Sequence, residues 1–182
     1  MIYLWMAVVV VGAVCVVDLV LTFGVIRRLR EHTELLQQRI VERAAAPGPI
    51  MLEAGATVGD FSVTTTDGVT VSRADLTGPR LVGFFSPACS ACVENMPMYL
   101  ARAQAHPGGR DAVLSVVVGS EEETGEMARQ LEPVSRVVRD VEHGEISKAF
   151  AVDGYPAYGI LDGDRVVASD FVFARLTAPA PA

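Results

Sequence analysis

Cys89 and Cys92 are separated by two small residues, Ser90 and Ala91, and follow the apolar pair Phe84-Phe85 and the turn residues Ser86-Pro87. Two thiols at this spacing can close a small disulfide ring after one of them attacks a substrate disulfide, which is dithiol exchange. A strand leading into Cys89 and a helix leading away would leave its sulfur beside unsatisfied backbone N–H groups, at the positive end of the helix dipole. Both stabilise negative charge on that sulfur. The same spacing occurs in zinc sites, so the pair alone leaves metal binding open, with His143 as a further ligand. Two sulfurs and one distant imidazole make a thin site, however, and His106 and His143 are more simply read as surface residues. The third cysteine, Cys15, lies far from the pair, and three cysteines are too few for a disulfide-stapled scaffold.

The flanking sequence supplies the elements such a pair needs. Arg80 to Phe85 reads as a buried strand and Ser90 to Ala105 as a helix, with Pro97 inside it removing one backbone donor. Ala112 to Val118, with Leu114 and three successive valines, reads as a strand buried on both faces. Ser120 followed by Glu123 is a capping box for a helix through Leu131. Val134 to Val138 is a weaker strand, Glu142 to Phe150 a short helix, and Tyr158 to Asp162 with Arg165 to Ala168 a hairpin around Gly163. Upstream, Asp60 to Val71 alternates around Asp67-Gly68 as another hairpin. The fold class expected is α/β: a central mixed β-sheet flanked by helices, with an N-terminal β-hairpin.

Ahead of this domain the chain changes character. Ile2 to Ile26 carries one charge, Asp18, and is long enough to cross a hydrocarbon core as a single transmembrane helix over residues 1–26, with Tyr3 and Trp5 at one interface and Arg27, Arg28 and Arg30 at the other. Two readings of Asp18 stay open: a protonated carboxyl tolerated by the span, or a contact with a membrane-embedded partner, with Cys15 one turn away. Residues 27–57 read as a spacer helix and a Pro/Gly linker, the linker from Ala44 to Ala56. Ile26, Leu29, Thr33, Leu36 and Ile40 form a short seam that fits a solvated spacer or weak self-association. The domain is expected over 58–174, with a flexible tail over 175–182. The net charge of -7 argues against nucleic acid as a partner.

Cys89-Ser90-Ala91-Cys92 after a strand, Gly154-Tyr155-Pro156 downstream and the Asp60-Phe61 to Asp67-Gly68 hairpin upstream together resemble the thioredoxin-like proteins of the TlpA/ResA group, and within it the membrane-anchored MauD-type proteins. The resemblance covers about Val58 to Ala168. It implies a thioredoxin-like fold and thiol–disulfide oxidoreductase activity on a protein client, in the reducing or maturation direction, with no cofactor and no metal. It implies Cys89 as attacking thiolate, Cys92 as buried resolving thiol, and Pro156 as a cis-proline that presents the backbone of Tyr155 to an extended substrate. It also implies an extracytoplasmic domain, whereas the arginines after the span place the domain inside by the positive-inside rule; the expectation adopted is extracytoplasmic.

Departures from the group are as informative. The aromatic residue that usually precedes the first cysteine is Ala88, the buried relay acid of thioredoxins falls on Gly83, and the glutamate of many TlpA-like proteins falls on Asn95 beside Glu94. No proton acceptor for Cys92 is therefore identifiable, and two readings of Glu94 stay open, a solvated surface carboxylate or a displaced relay. Two alternatives remain. One is a peroxiredoxin-like peroxidase using Ser86-Pro87-Ala88-Cys89, which would need an arginine near the sulfur. The other is a metal-delivery or assembly protein using the cysteine pair. Phe171 to Phe173 end the domain where the group often adds a helix, and are expected either to pack on the sheet or to leave a patch for a partner.

Overall fold

The computed structural model describes residues 49–176 together with Gly12. Among them no helix is long and apolar enough to cross a membrane. The span expected over 1–26, the spacer seam, Asp18 and Cys15 lie outside the described residues.

Five strands make the central sheet: β3 (Pro79–Phe85), β4 (Val113–Val118), β5 (Arg136–Asp140), β6 (Ala157–Asp162) and β7 (Arg165–Asp170), in the order β5-β4-β3-β6-β7. Strand β3 runs parallel to β4, and β4 to β5, across helices α1 (Ser90–Gln104) and α2 (Glu121–Leu131). The other edge is antiparallel, β6 pairing with β3 and β7 with β6. A separate two-stranded hairpin, β1 (Ser62–Thr64) and β2 (Thr70–Ser72), turns through Gly68 at φ 80°, where glycine alone is unstrained. This is the mixed sheet expected from alternating strands and helices.

Successive side chains of β3 go to opposite faces. Val82 and Phe84 join Leu114, Val116, Val138 and Phe150 on one side, and Leu81 and Phe85 join Cys92, Met96, Tyr99 and Val117 on the other. Both faces of β3 and β4 are thus buried, which is why their sequences read as unbroken apolar runs. Ser120 accepts from the Glu123 N–H and the Glu123 carboxylate accepts from the Ser120 N–H, so the capping box forms as expected and starts α2.

Several boundaries differ from expectation, each for a visible reason. Residues 50–56 are not a free linker. Met51 is buried against Gly159, whose missing side chain makes room for it, while Leu52 N–H donates to Phe150 O and Gly55 N–H to Val166 O. The packed chain therefore begins before residue 58, and a bridge pairs Thr57 with Arg165. Strand β5 starts at Arg136 rather than Val134 because Val134 and Ser135 N–H both close the end of α2 by donating to Leu131 O. Helix α3 (Glu145–Ala149) is shorter than the expected Glu142 to Phe150. His143 has φ 58°, which a helix excludes, and the Asp140 carboxylate accepts from the Val141 N–H ahead of the helix and from the Ser147 N–H in its first turn. At the other end Phe173 and Leu176 are buried, in and just after a short 3-10 turn, Phe173–Arg175, so packing reaches past 174. Phe173 takes the sheet-packing role, and Phe171 stays exposed. Residues 177–182 lie outside the described residues.

Candidate active site

Strand β3 ends at Phe85, and Ser86 to Cys89 form a turn in which Cys89 N–H donates to Ser86 O at 3.1 Å. Cys89 is the N-cap of α1, with extended backbone (φ -98°, ψ 109°). At this position its side chain replaces the serine or aspartate that usually caps a helix: Cys89 Sγ accepts from Cys92 N–H at 3.2 Å. The sulfur therefore lies against the first-turn N–H groups and the dipole's positive end, as the strand-to-helix junction implied. Cys89 is half-buried between exposed Ala88 and Ser90, and with alanine before it no aromatic ring covers the sulfur.

Cys92, one turn in, is fully buried, and both cysteines are free thiols. Burial first, and then the neighbouring Cys89 sulfur, push the Cys92 thiol well above the ordinary thiol range. The two sulfurs thus differ in access, Cys89 being part-exposed and Cys92 enclosed.

Across from Cys89 lies the loop before β6. The Tyr155-Pro156 peptide bond is cis, Pro156 is buried, and Tyr155 O accepts from Cys89 Sγ at 3.4 Å. Tyr155 is half-buried and packs against the clusters on both faces of the sheet. The structure therefore brings Cys89, Cys92, Tyr155 and Pro156 into one place. It does not bring His143 there, since this residue is exposed in the turn before α3. Among the described residues no three of His, Cys, Asp and Glu converge as a metal site would need.

The missing proton acceptor is explained by packing. A Cβ on Gly83 would lie 2.8 Å from both Phe85 Cε2 and Tyr99 Cε2, so aromatic rings occupy the room a relay acid would use. Asn95 is turned to its own helix, donating to Ala91 O at 2.8 Å, and Glu94 is exposed. The rings over Gly83 belong to one cluster. Phe85 meets Tyr99 edge-on at 4.8 Å, Tyr99 stacks on Tyr158 at 6.0 Å, and Phe173 closes on Tyr158 at 4.8 Å. Tyr99 hydroxyl is bonded to Ser115 Oγ at 3.0 Å, whereas Tyr158 hydroxyl is buried with no hydrogen-bond partner. Nothing in the sequence separated Tyr158 from an ordinary core aromatic at the start of a strand.

A dithiol capping a helix at the end of a central strand, with an Xaa-Pro backbone across from its outer sulfur, defines a thioredoxin-like thiol–disulfide oxidoreductase. The comparisons agree on the class. Residues 53–178, more than half of the chain, match the Redoxin family, and the chain belongs to it. Among solved structures it is similar to the thioredoxin domain of a thiol-disulfide oxidoreductase from Bacteroides vulgatus, at 19% identity and TM-score 0.53, covering 65% of this chain and 89% of that one. It is also similar to the exposed lipoprotein thioredoxin of Streptococcus pneumoniae, at 24% identity and TM-score 0.51, covering 63% and 90%. A secreted disulfide oxidoreductase of Mycobacterium tuberculosis aligns at 23% identity and TM-score 0.50, covering 62% and 81%. At these identities the likeness carries the fold. No curated protein matches the sequence.

Proposed function

We propose that this oxidoreductase is tethered to a membrane by residues 1–26 and exchanges disulfides with a protein client through Cys89 and Cys92, in the manner of the MauD-type proteins it resembles. The observation that carries the proposal is the position of Cys89: helix N-cap, half-exposed, bonded to the Cys92 N–H, and facing the Tyr155 carbonyl.

In the reducing direction Cys89 thiolate attacks one sulfur of the client disulfide, the client S–S bond breaks, and a mixed disulfide remains on Cys89. Cys92 then loses its proton and attacks the Cys89 sulfur. The mixed disulfide breaks, the Cys89–Cys92 bond forms, and the client's second sulfur leaves as a thiolate that takes up a proton. Two electrons have passed from the dithiol to the client, with no cofactor. Tyr155 and Pro156 hold an extended client segment against Cys89 by backbone contact. The domain works on the extracytoplasmic side, where client disulfides persist.

The test is trapping. With Cys92→Ala in the full-length chain, the second step is lost and the client remains on Cys89 as an adduct that a small dithiol releases. Recovery of no adduct, with or without added oxidant, overturns the exchange reading.

A further inference from the structure

Tyr158 on β6 is fully buried, and its hydroxyl is one of two buried side-chain polar atoms among the described residues that have no hydrogen-bond partner; the other is Arg80 Nε. An unpaired buried O–H is costly and uncommon, and phenylalanine would fill the same space without that cost. A hydroxyl in this position is therefore explained best by a partner that is present only part of the time.

The resting structure gives this hydroxyl no acceptor, sulfur included, but its cluster holds one group that becomes a stronger acceptor during the proposed reaction. Tyr158 stands opposite Gly83 in the β3–β6 register and shares its apolar cluster with Cys92, while Cys89 packs on the same cluster. The titratable groups around Tyr158 are few. Helix α1 supplies Cys89, Cys92 and Tyr99, strand β7 supplies Asp170 directly across the ladder, and the loop before β6 supplies Tyr155. Strand β3 and the C-terminal turn add only Phe85 and Phe173. Tyr99 is already bonded to Ser115, and Asp170 accepts from the Val172 N–H. Cys92 alone gains a charge during the proposed reaction inside this cluster. Burial, and then negative charge on Cys92 and Cys89, raise the Tyr158 phenol far above its ordinary range. It therefore stays a protonated donor at every working pH.

We propose that the Tyr158 hydroxyl donates a hydrogen bond to the Cys92 thiolate when that thiolate forms, in a cluster where Phe85 and Tyr99 leave no room for an acid at Gly83. The inference rests on the exchange reading above. Tyr158 keeps its proton throughout. The proton lost by Cys92 ends on the client's leaving sulfur, as the Cys89–client bond breaks and the Cys89–Cys92 bond forms. Tyr158 thus acts through Cys92, as a positioning residue that stabilises charge on it.

The experiment uses full-length protein carrying Cys15→Ala, with and without Tyr158→Phe, and an aromatic disulfide whose leaving thiolate is coloured. The first equivalent released reports attack by Cys89, the second reports attack by Cys92 on the mixed disulfide. Tyr158→Phe should leave the first phase unchanged and slow the second about tenfold at neutral pH, with its midpoint about one pH unit higher, as expected for losing one hydrogen bond to a charged sulfur. The melting temperature should not fall, because the bond is absent in the resting state. An unchanged second phase, or both phases slowed alike together with a lower melting temperature, overturns the proposal. A protein with Tyr158 intact that gives no second phase overturns the exchange reading itself, and the two failures are distinct.

Discussion

Replacing Gly83 with alanine tests whether packing, rather than chance, keeps an acid out of this site. The added Cβ would lie 2.8 Å from Phe85 Cε2, 2.8 Å from Tyr99 Cε2 and 2.9 Å from Phe85 Cζ, about 0.7 Å inside the shortest favourable carbon–carbon separation. Neither ring can retreat freely, since both are fully buried and meet each other, Tyr158 and Phe173 within one cluster. Overpacking of this kind costs roughly 1–3 kcal/mol. The glycine has no left-handed φ, so alanine meets no backbone strain and recovers roughly 0.4–1 kcal/mol through a less free unfolded chain. The net expectation is a loss of about 1–2 kcal/mol, or a melting temperature lower by about 3–6 °C. Thermal or urea unfolding measures it. Phe85→Leu should be less damaging in the Gly83→Ala background than alone, because it vacates the contested space. A Gly83→Ala protein as stable as its parent would refute the reasoning. Gly83→Asp should be worse than alanine, because it adds the desolvation of a carboxyl to the same clash.

Two further outcomes follow from the described residues. The Asp67 carboxylate accepts from Thr65 Oγ1, from Arg110 Nη2 at 2.9 Å and from Arg136 Nη1 at 2.6 Å, and these partners, Thr65 first, hold its acid form well below the usual carboxylate range. A depressed folded-state value means stability present above about pH 4 and lost progressively below it, so the stabilities of parent and Asp67→Asn should differ at neutral pH and converge as acid is added; parallel curves would remove the assignment. A maleimide that cannot cross membranes, added to intact cells, should modify Cys89 and spare Cys92 because only Cys89 is accessible; failure to label until the cells are opened would place the domain inside.

Much of the fold was legible because its signals are local. The valine run of β4, the Ser120–Glu123 box and the Asp67-Gly68 turn each act within a few residues, and each forms where the sequence placed it. The misplaced start of the domain was set by contacts distant in sequence, whereas β5 and α3 start late because nearby acceptors, Leu131 O and the Asp140 carboxylate, take the backbone donors first. Residues 50–56 look like a linker until Met51 fills the space over Gly159 and Gly55 meets Val166. The start of α3 depends on an Asp140 carboxylate in the preceding strand.

The candidate site divides in the same way. The sequence by itself determined the dithiol, its spacing and its place between a strand and a helix, because a strand and the helix that follows it are contiguous in the chain. Only the tertiary structure decided what surrounds the two sulfurs. The Tyr155 carbonyl reaches Cys89 from 66 residues away, the rings of Phe85 and Tyr99 close the space at Gly83, and β6 carries an unpartnered Tyr158 hydroxyl into the cluster around Cys92. Each depends on which strands lie side by side in the sheet, and hydrophobic pattern alone does not encode that order.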